Sequence, residues 1–118
     1  MPVKKMNYIS KDTVEKVYKF RDDRDWKQFH NPKDLAISIS LESAELLEVF
    51  QWSGADCYVT EKREKIKEEL ADILIYSILM AEACDFNMDD IINAKLQVNN
   101  SKYPREKACG SKIKYTEL

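Results

Sequence analysis

Two pairs of acids recur at one spacing, Glu42-Ser-Ala-Glu45 and Glu69-Leu-Ala-Asp72. The first lies in the apolar stretch from Ile37 to Phe50. Asp72 is the only charge in the run Leu70-Ala-Asp-Ile-Leu-Ile-Tyr-Ser-Ile-Leu-Met-Ala81. A carboxylate set among apolar residues is costly to bury unless something compensates for its lost hydration. Residues three apart share a helix face, so each pair points one way. Glu42 follows an apolar stripe through Ile39 and Leu46. Glu69, Asp72, Ile73 and Tyr76 form another stripe, and Glu48 extends the first series either as a ligand or as an exposed residue. Facing carboxylates repel and drive one another toward protonation, a penalty that a bound cation reverses. Carboxylates without His or Cys are hard oxygen donors, suited to Mg²⁺, with Mn²⁺ as a substitute, rather than zinc. Because Mg²⁺ commonly shares its shell with substrate phosphates, the pattern suggests a phosphate-containing substrate. The plainer alternative is that the acids line solvated helix faces or pair with lysines such as Lys65 and Lys67. A di-iron bundle is disfavoured, since it needs Glu-x-x-His on two helices and the only histidine is His30.

Helices must position these acids. Two Gly and three Pro in 118 residues, with abundant Leu, Ile, Glu and Lys, favour helix, and no strand alternation, repeat or linker intervenes. The expected fold is all-α, a bundle of four helices at about 11–28, 33–52, 60–83 and 88–102, with antiparallel neighbours. Ser10 or Asp12 could cap the first helix, and Asn31-Pro32 is a start signal for the second. Gly54 suits a left-handed cap at its end. Thr60 with Glu61 begins the third helix, and Asn87, followed by Asp89 and Asp90, begins the fourth. Residues 1–9 read as an arm. Residues 1–104 form the domain, and 105–118 a polar tail expected to be mobile.

Composition bounds the rest. Charged residues at 34% and apolar ones at 44% argue against wholesale disorder, and 118 residues suffice for one domain whose core is completed by self-association. A net charge of −2 without a basic block argues against a nucleic-acid surface. The N-terminus lacks an apolar signal segment, and the longest apolar run is too short for a membrane span. Cys57, Cys84 and Cys109 are widely spaced, as reduced thiols of a cytoplasmic protein would be, with no zinc motif.

The acids and their surroundings together resemble the MazG-like nucleoside triphosphate pyrophosphohydrolases. Beyond Glu42-x-x-Glu45 and Glu69-x-x-Asp72, four blocks resemble the dCTP pyrophosphatase branch: Arg24-Asp-Trp-Lys-Gln-Phe-His30, Glu45-Leu-Leu-Glu-Val-Phe-Gln-Trp52, Glu68-Glu-Leu-Ala-Asp-Ile-Leu-Ile-Tyr76 and Lys95-x-x-x-Asn99-x-x-Lys102-Tyr-Pro104. They cover about residues 20–104. The resemblance implies hydrolysis of a (deoxy)nucleoside triphosphate, dCTP being the best guess, to the monophosphate and pyrophosphate. It makes Glu42, Glu45, Glu69 and Asp72 the catalytic Mg²⁺ ligands, with Glu45 the candidate acceptor of the water's proton. Phe20, Trp26, His30 and Trp52 would recognise the base and Tyr76 the sugar. Lys95, Asn99 and Lys102, at i, i+4 and i+7 of one helix face, would approach the phosphates, with Arg105 a weaker candidate. Taken singly, the aromatics and His30 also fit a core, and the lysines an exposed basic stripe. The resemblance further implies a cytoplasmic homotetramer, a dimer of dimers with pockets near subunit interfaces, that clears surplus or non-canonical nucleotides. Neither nucleic acid nor membrane is an expected partner. Two rivals remain: an all-α dUTPase-like enzyme with the same metal logic, and a non-catalytic helical interaction module.

Overall fold

Side chains just ahead of each apolar run set most of the helix starts. Ser10 accepts a hydrogen bond from the Thr13 amide (3.1 Å) and opens α1, Lys11–Asp23. Asn31 accepts from the Asp34 amide (2.9 Å), with Pro32 leading α2, Pro32–Glu48. The longest helix, α3, spans Arg63–Ala83. Asn87 accepts from the Asp90 amide (3.0 Å) and opens α4, Met88–Lys102, and a short α5 follows at Arg105–Ala108. The computed structural model describes residues 8–118, and among them no strand occurs. The arm expected over residues 1–9 thus lies, up to residue 7, outside the described residues.

The four long helices are those expected, but three boundaries move. The first helix ends at Asp23 rather than near residue 28. The amides of Arg24 and Trp26 both turn back to the Arg21 carbonyl, and Asp25 takes a left-handed φ of 54°. Acids are unfavourable at a helix C-terminus, and Asp tolerates that conformation. The second stops at Glu48 rather than Trp52. Its continuation tightens into three-residue turns (Val49 to Leu46, Phe50 to Leu47, Gln51 to Glu48), which draw Val49 into the core. Gly54 is left-handed (φ 60°), but so is Trp52 (φ 66°), which breaks the chain direction first. The third helix is preceded by a 3₁₀ turn at Thr60–Lys62. No side chain caps that turn or α3; Asp56 instead holds the approach to them, its carboxylate accepting from the amides of Tyr58 (3.0 Å) and Val59 (3.1 Å).

The chain divides after Asp85 into two compact units. In the first, α2 packs along α3, and α1 lies against α3. Glu42 meets Asp72 while Glu48 shares a cleft with Lys62, so α2 and α3 run antiparallel. Leu35, Val49, Val59, Ile78, Leu79 and Ala81 are buried. Arg21, buried on α1, joins Glu82 of α3 in an ion pair and stacks over the Tyr18 ring at 5.2 Å. In the second unit, the tail carries α5 and folds back on the end of α4. The rings of Tyr103 and Tyr115 meet edge to face at 5.8 Å, and the Lys102 ammonium lies 4.7 Å over Tyr115. No helix among the described residues is long and apolar enough to cross a membrane.

Leu35 is 1% exposed, and its truncation leaves a cavity near the start of α2. Leu35→Ala should lower unfolding stability by about 3 kcal/mol, read as a shifted urea midpoint at unchanged slope.

Candidate active site

Helical spacing sends Glu42 and Glu45 from α2, and Glu69 and Asp72 from α3, into the seam between them. One carboxylate oxygen from each of Glu42, Glu69 and Asp72 lies within 4.8 Å of the others. Glu45 adjoins both Glu42 and Glu69, close enough for a shared hydrogen bond when one of them is protonated. Glu69 is 4% exposed, and Oε2 of both Glu42 and Glu69 is buried without a partner. The other Glu69 oxygen, Oε1, accepts from Lys65 Nζ at 3.0 Å. Lys67 pairs with Glu64 instead. Glu48 is exposed and stands beside Glu45 on the wall of an adjoining cleft.

The charges are unevenly distributed. Burial raises the Glu42 carboxyl to about 7, reinforced by the neighbouring Glu45, Asp72 and Glu69. The Lys65 ammonium holds the Glu69 carboxyl below its usual range, so of the two Glu42 is the one driven toward protonation. The donor set fits a hard divalent cation. Oxygens up to 4.8 Å apart are a little over two Mg²⁺–oxygen distances (about 2.1 Å each), so small side-chain shifts close them on one ion. Two orphaned buried oxygens gain a partner by doing so.

A cavity of about 620 Å³ adjoins the acids and is lined by Phe20, Arg21, Trp26, His30, Asp72 and Tyr76, among others. Phe20 and Trp26 meet edge to face at 5.7 Å, and the Arg24 guanidinium lies 3.8 Å over Phe20. His30 Nδ1 is buried with no partner. Burial, helped by the Arg21 charge, lowers the His30 pKa and keeps the ring neutral at neutral pH. Four of the five aromatic-type candidates are thus brought together. The fifth, Trp52, is 92% exposed and does not line the cavity. Lys95, Asn99 and Lys102 belong to the second unit, where Asn99 and Lys102 are half-buried on α4 and Lys95 is exposed. Arg105 is the first residue of α5.

Two contributors were not singled out by their chemistry. Arg21 lies in register with Val14, Val17 and Tyr18, but only the structure reveals a buried cation on the cavity wall. Lys65 stands four residues before Glu69, the ordinary spacing of a surface ion pair.

Residues 37–118 match the sequence model of the MazG-like family. The dCTP pyrophosphatase 1 of Bos taurus is 34% identical over 121 aligned residues, which cover 95% of this chain and 72% of the bovine protein. That of Homo sapiens is 36% identical over 104 residues, 84% of this chain. The match spans 61% of the human protein's length, as it does for the Mus musculus protein. A pyrophosphatase from Archaeoglobus fulgidus has a similar solved structure, with a TM-score of 0.73 at 37% identity over 85% of this chain and 99% of that one.

Proton linkage follows from Glu42. Its folded pKa, about 7, is above the ordinary 4.5, so between those values the folded chain holds a proton that the unfolded chain has lost. This group's contribution to metal-free stability should therefore fall as pH rises from 4.5 to about 7 and then level off. A cation must displace that proton, so Mg²⁺ affinity should climb over the same range. Calorimetry in buffers of differing ionisation enthalpy should record proton release at about pH 6 and little at about pH 8.

Proposed function

The chain belongs to the MazG-like family, and we propose that it is a divalent-metal-dependent pyrophosphohydrolase of deoxynucleoside triphosphates, with dCTP the first candidate substrate. The observation that carries this reading is that Asp72 belongs to both features. It completes the three-oxygen cluster and lines the aromatic cavity. A base held among the rings would therefore extend its phosphates toward the acids. The cavity's volume lies within the usual range for small-molecule sites, about 300–1,000 Å³.

In this reading Glu42, Glu69 and Asp72 hold Mg²⁺, with Mn²⁺ as an alternative. The bound cation supplies neutralisation of phosphate charge and activation of water. Glu45, beside two of the ligands but outside the closest three, accepts the proton that the attacking water releases. The α–β phosphoanhydride bond breaks, and pyrophosphate leaves from the nucleoside monophosphate. Phe20 and Trp26 offer faces to the base, and the free Nδ1 of His30 offers a hydrogen-bonding position on its edge. Tyr76, one turn beyond Asp72, packs against the deoxyribose. Lys95, Asn99 and Lys102 supply phosphate contacts. Such an enzyme would act in the cytoplasm on surplus or non-canonical nucleotides.

Self-association belongs to the same reading. Ile37, Leu41 and Leu47 are exposed on α2, with Trp52 beyond them, although other residues of that helix already pack on α3. A helix that is apolar on its outer side as well needs a second cover. A homotetramer supplies it and brings Trp52 to a subunit interface.

Two measurements check these points. With Mg²⁺ the protein should convert dCTP to dCMP and pyrophosphate, and EDTA or Asp72→Asn should abolish turnover with helicity retained by circular dichroism. Orthophosphate as product would instead place the cleaved bond elsewhere. Sedimentation velocity should show a tetramer, and Leu41→Glu should shift it to smaller species.

A further inference from the structure

The two oxygens of Glu69 have different surroundings. Oε2 is buried and unpartnered, whereas Oε1 is engaged by Lys65 Nζ at 3.0 Å, and one oxygen of this carboxylate lies within 4.8 Å of oxygens of Glu42 and Asp72. The Lys65 side chain is itself 57% exposed, reaching inward from the rim. It stands in a cleft of about 500 Å³ lined by Glu45, Glu48, Val49, Lys62, Lys65 and Glu69. Three carboxylates therefore border a space on the far side of Glu69 from Asp72. An acidic cleft of that kind, next to a first cation site, would hold a second divalent ion. Here a lysine ammonium stands in it.

We propose that Lys65 is a positioning residue of the metal centre, a built-in monovalent cation that replaces a second divalent ion. By holding Oε1, it leaves Glu69 only Oε2 for the cluster and so makes that ligand monodentate. Its charge, with that of Lys62, offsets Glu45 and Glu48 and removes the reason for another ion to enter. An ammonium is a compact point charge with three donors, suited to this place on a flexible stem. Pairing at i, i+4 on α3 fixes it from the same helix that carries Glu69, so the arrangement needs no ligand to form. The inference rests on the metal reading of Glu42, Glu69 and Asp72 proposed above.

Metal stoichiometry tests it without recourse to activity. Mn²⁺ binding would be measured by electron paramagnetic resonance and equilibrium dialysis on the full chain, its Lys65→Met variant and its Lys65→Arg variant. The wild type should saturate at one Mn²⁺ per chain, Lys65→Met at two, and Lys65→Arg, which keeps the charge, at one. Spin–spin broadening should appear only in Lys65→Met. Two ions on the wild type, or one on Lys65→Met, would overturn the role of Lys65 while leaving the first site standing. Absence of Mn²⁺ binding in all three folded proteins would overturn the metal centre itself, and the proposal with it.

Discussion

Like charges are packed into the seam between α2 and α3, and the remainder of the first unit is arranged to make that tolerable. Each acid pair is carried by one helix at a spacing that forces both side chains to one face, so packing α2 on α3 necessarily brings the carboxylates together. Folding itself would favour separating them. Instead Glu42 is driven toward protonation and Glu69 is paired with a lysine, two ways of lowering the repulsion that a bound cation would remove in the proposed reading. In that reading the oxygens are already gathered before a metal would enter. Side chains already near their bound positions lose little conformational freedom on binding.

The aromatic cavity depends on the same seam through α3. Asp72 and Tyr76 lie one turn apart on that helix, so the orientation that buries Glu69 also sets the cavity wall. The opposite wall needs a rigid turn after α1, and Arg21 provides it. Its carbonyl collects the Arg24 and Trp26 amides, and its side chain is held against α3 by Glu82. A buried guanidinium is expensive unless fully paired, which is why this one has a carboxylate and an aromatic face as partners. The turn that ends α1 thus presents Trp26 and His30.

How much of this the sequence disclosed follows the range of the forces involved. The acid pairs, the caps at Ser10, Asn31 and Asn87, and the helical content are local facts, legible from spacing and residue type. The ends of α1 and α2 were not, because long-range packing decides them. The three-residue turns after α2 draw Val49 into the core, and Asp56 holds the amides of Tyr58 and Val59 just ahead of the 3₁₀ turn that Thr60 begins. Lys65 was legible only as a commonplace pair, since its meaning depends on Glu45 and Glu48 arriving from another helix. The tail read as featureless because its anchor, Tyr115 on Tyr103 and Lys102, joins residues a dozen positions apart in a polar stretch.

Trp52 marks the limit of what one chain accounts for. A tryptophan 92% exposed gains nothing from its position, and its left-handed backbone is unfavourable for a side chain of that size. Conformations of this kind persist where function or assembly compensates for them. Only a handful of large apolar side chains among the described residues are fully buried, while both α2 and α4 display apolar residues to solvent: Ile37, Leu41 and Leu47 on one, Ile91, Ile92, Leu96 and Val98 on the other. Small domains bury a low fraction of their surface, and association is one way to raise it. In the proposed reading, the exposed α2 row and the strained tryptophan are one problem with one physical remedy, since another copy of the chain laid over α2 would cover both.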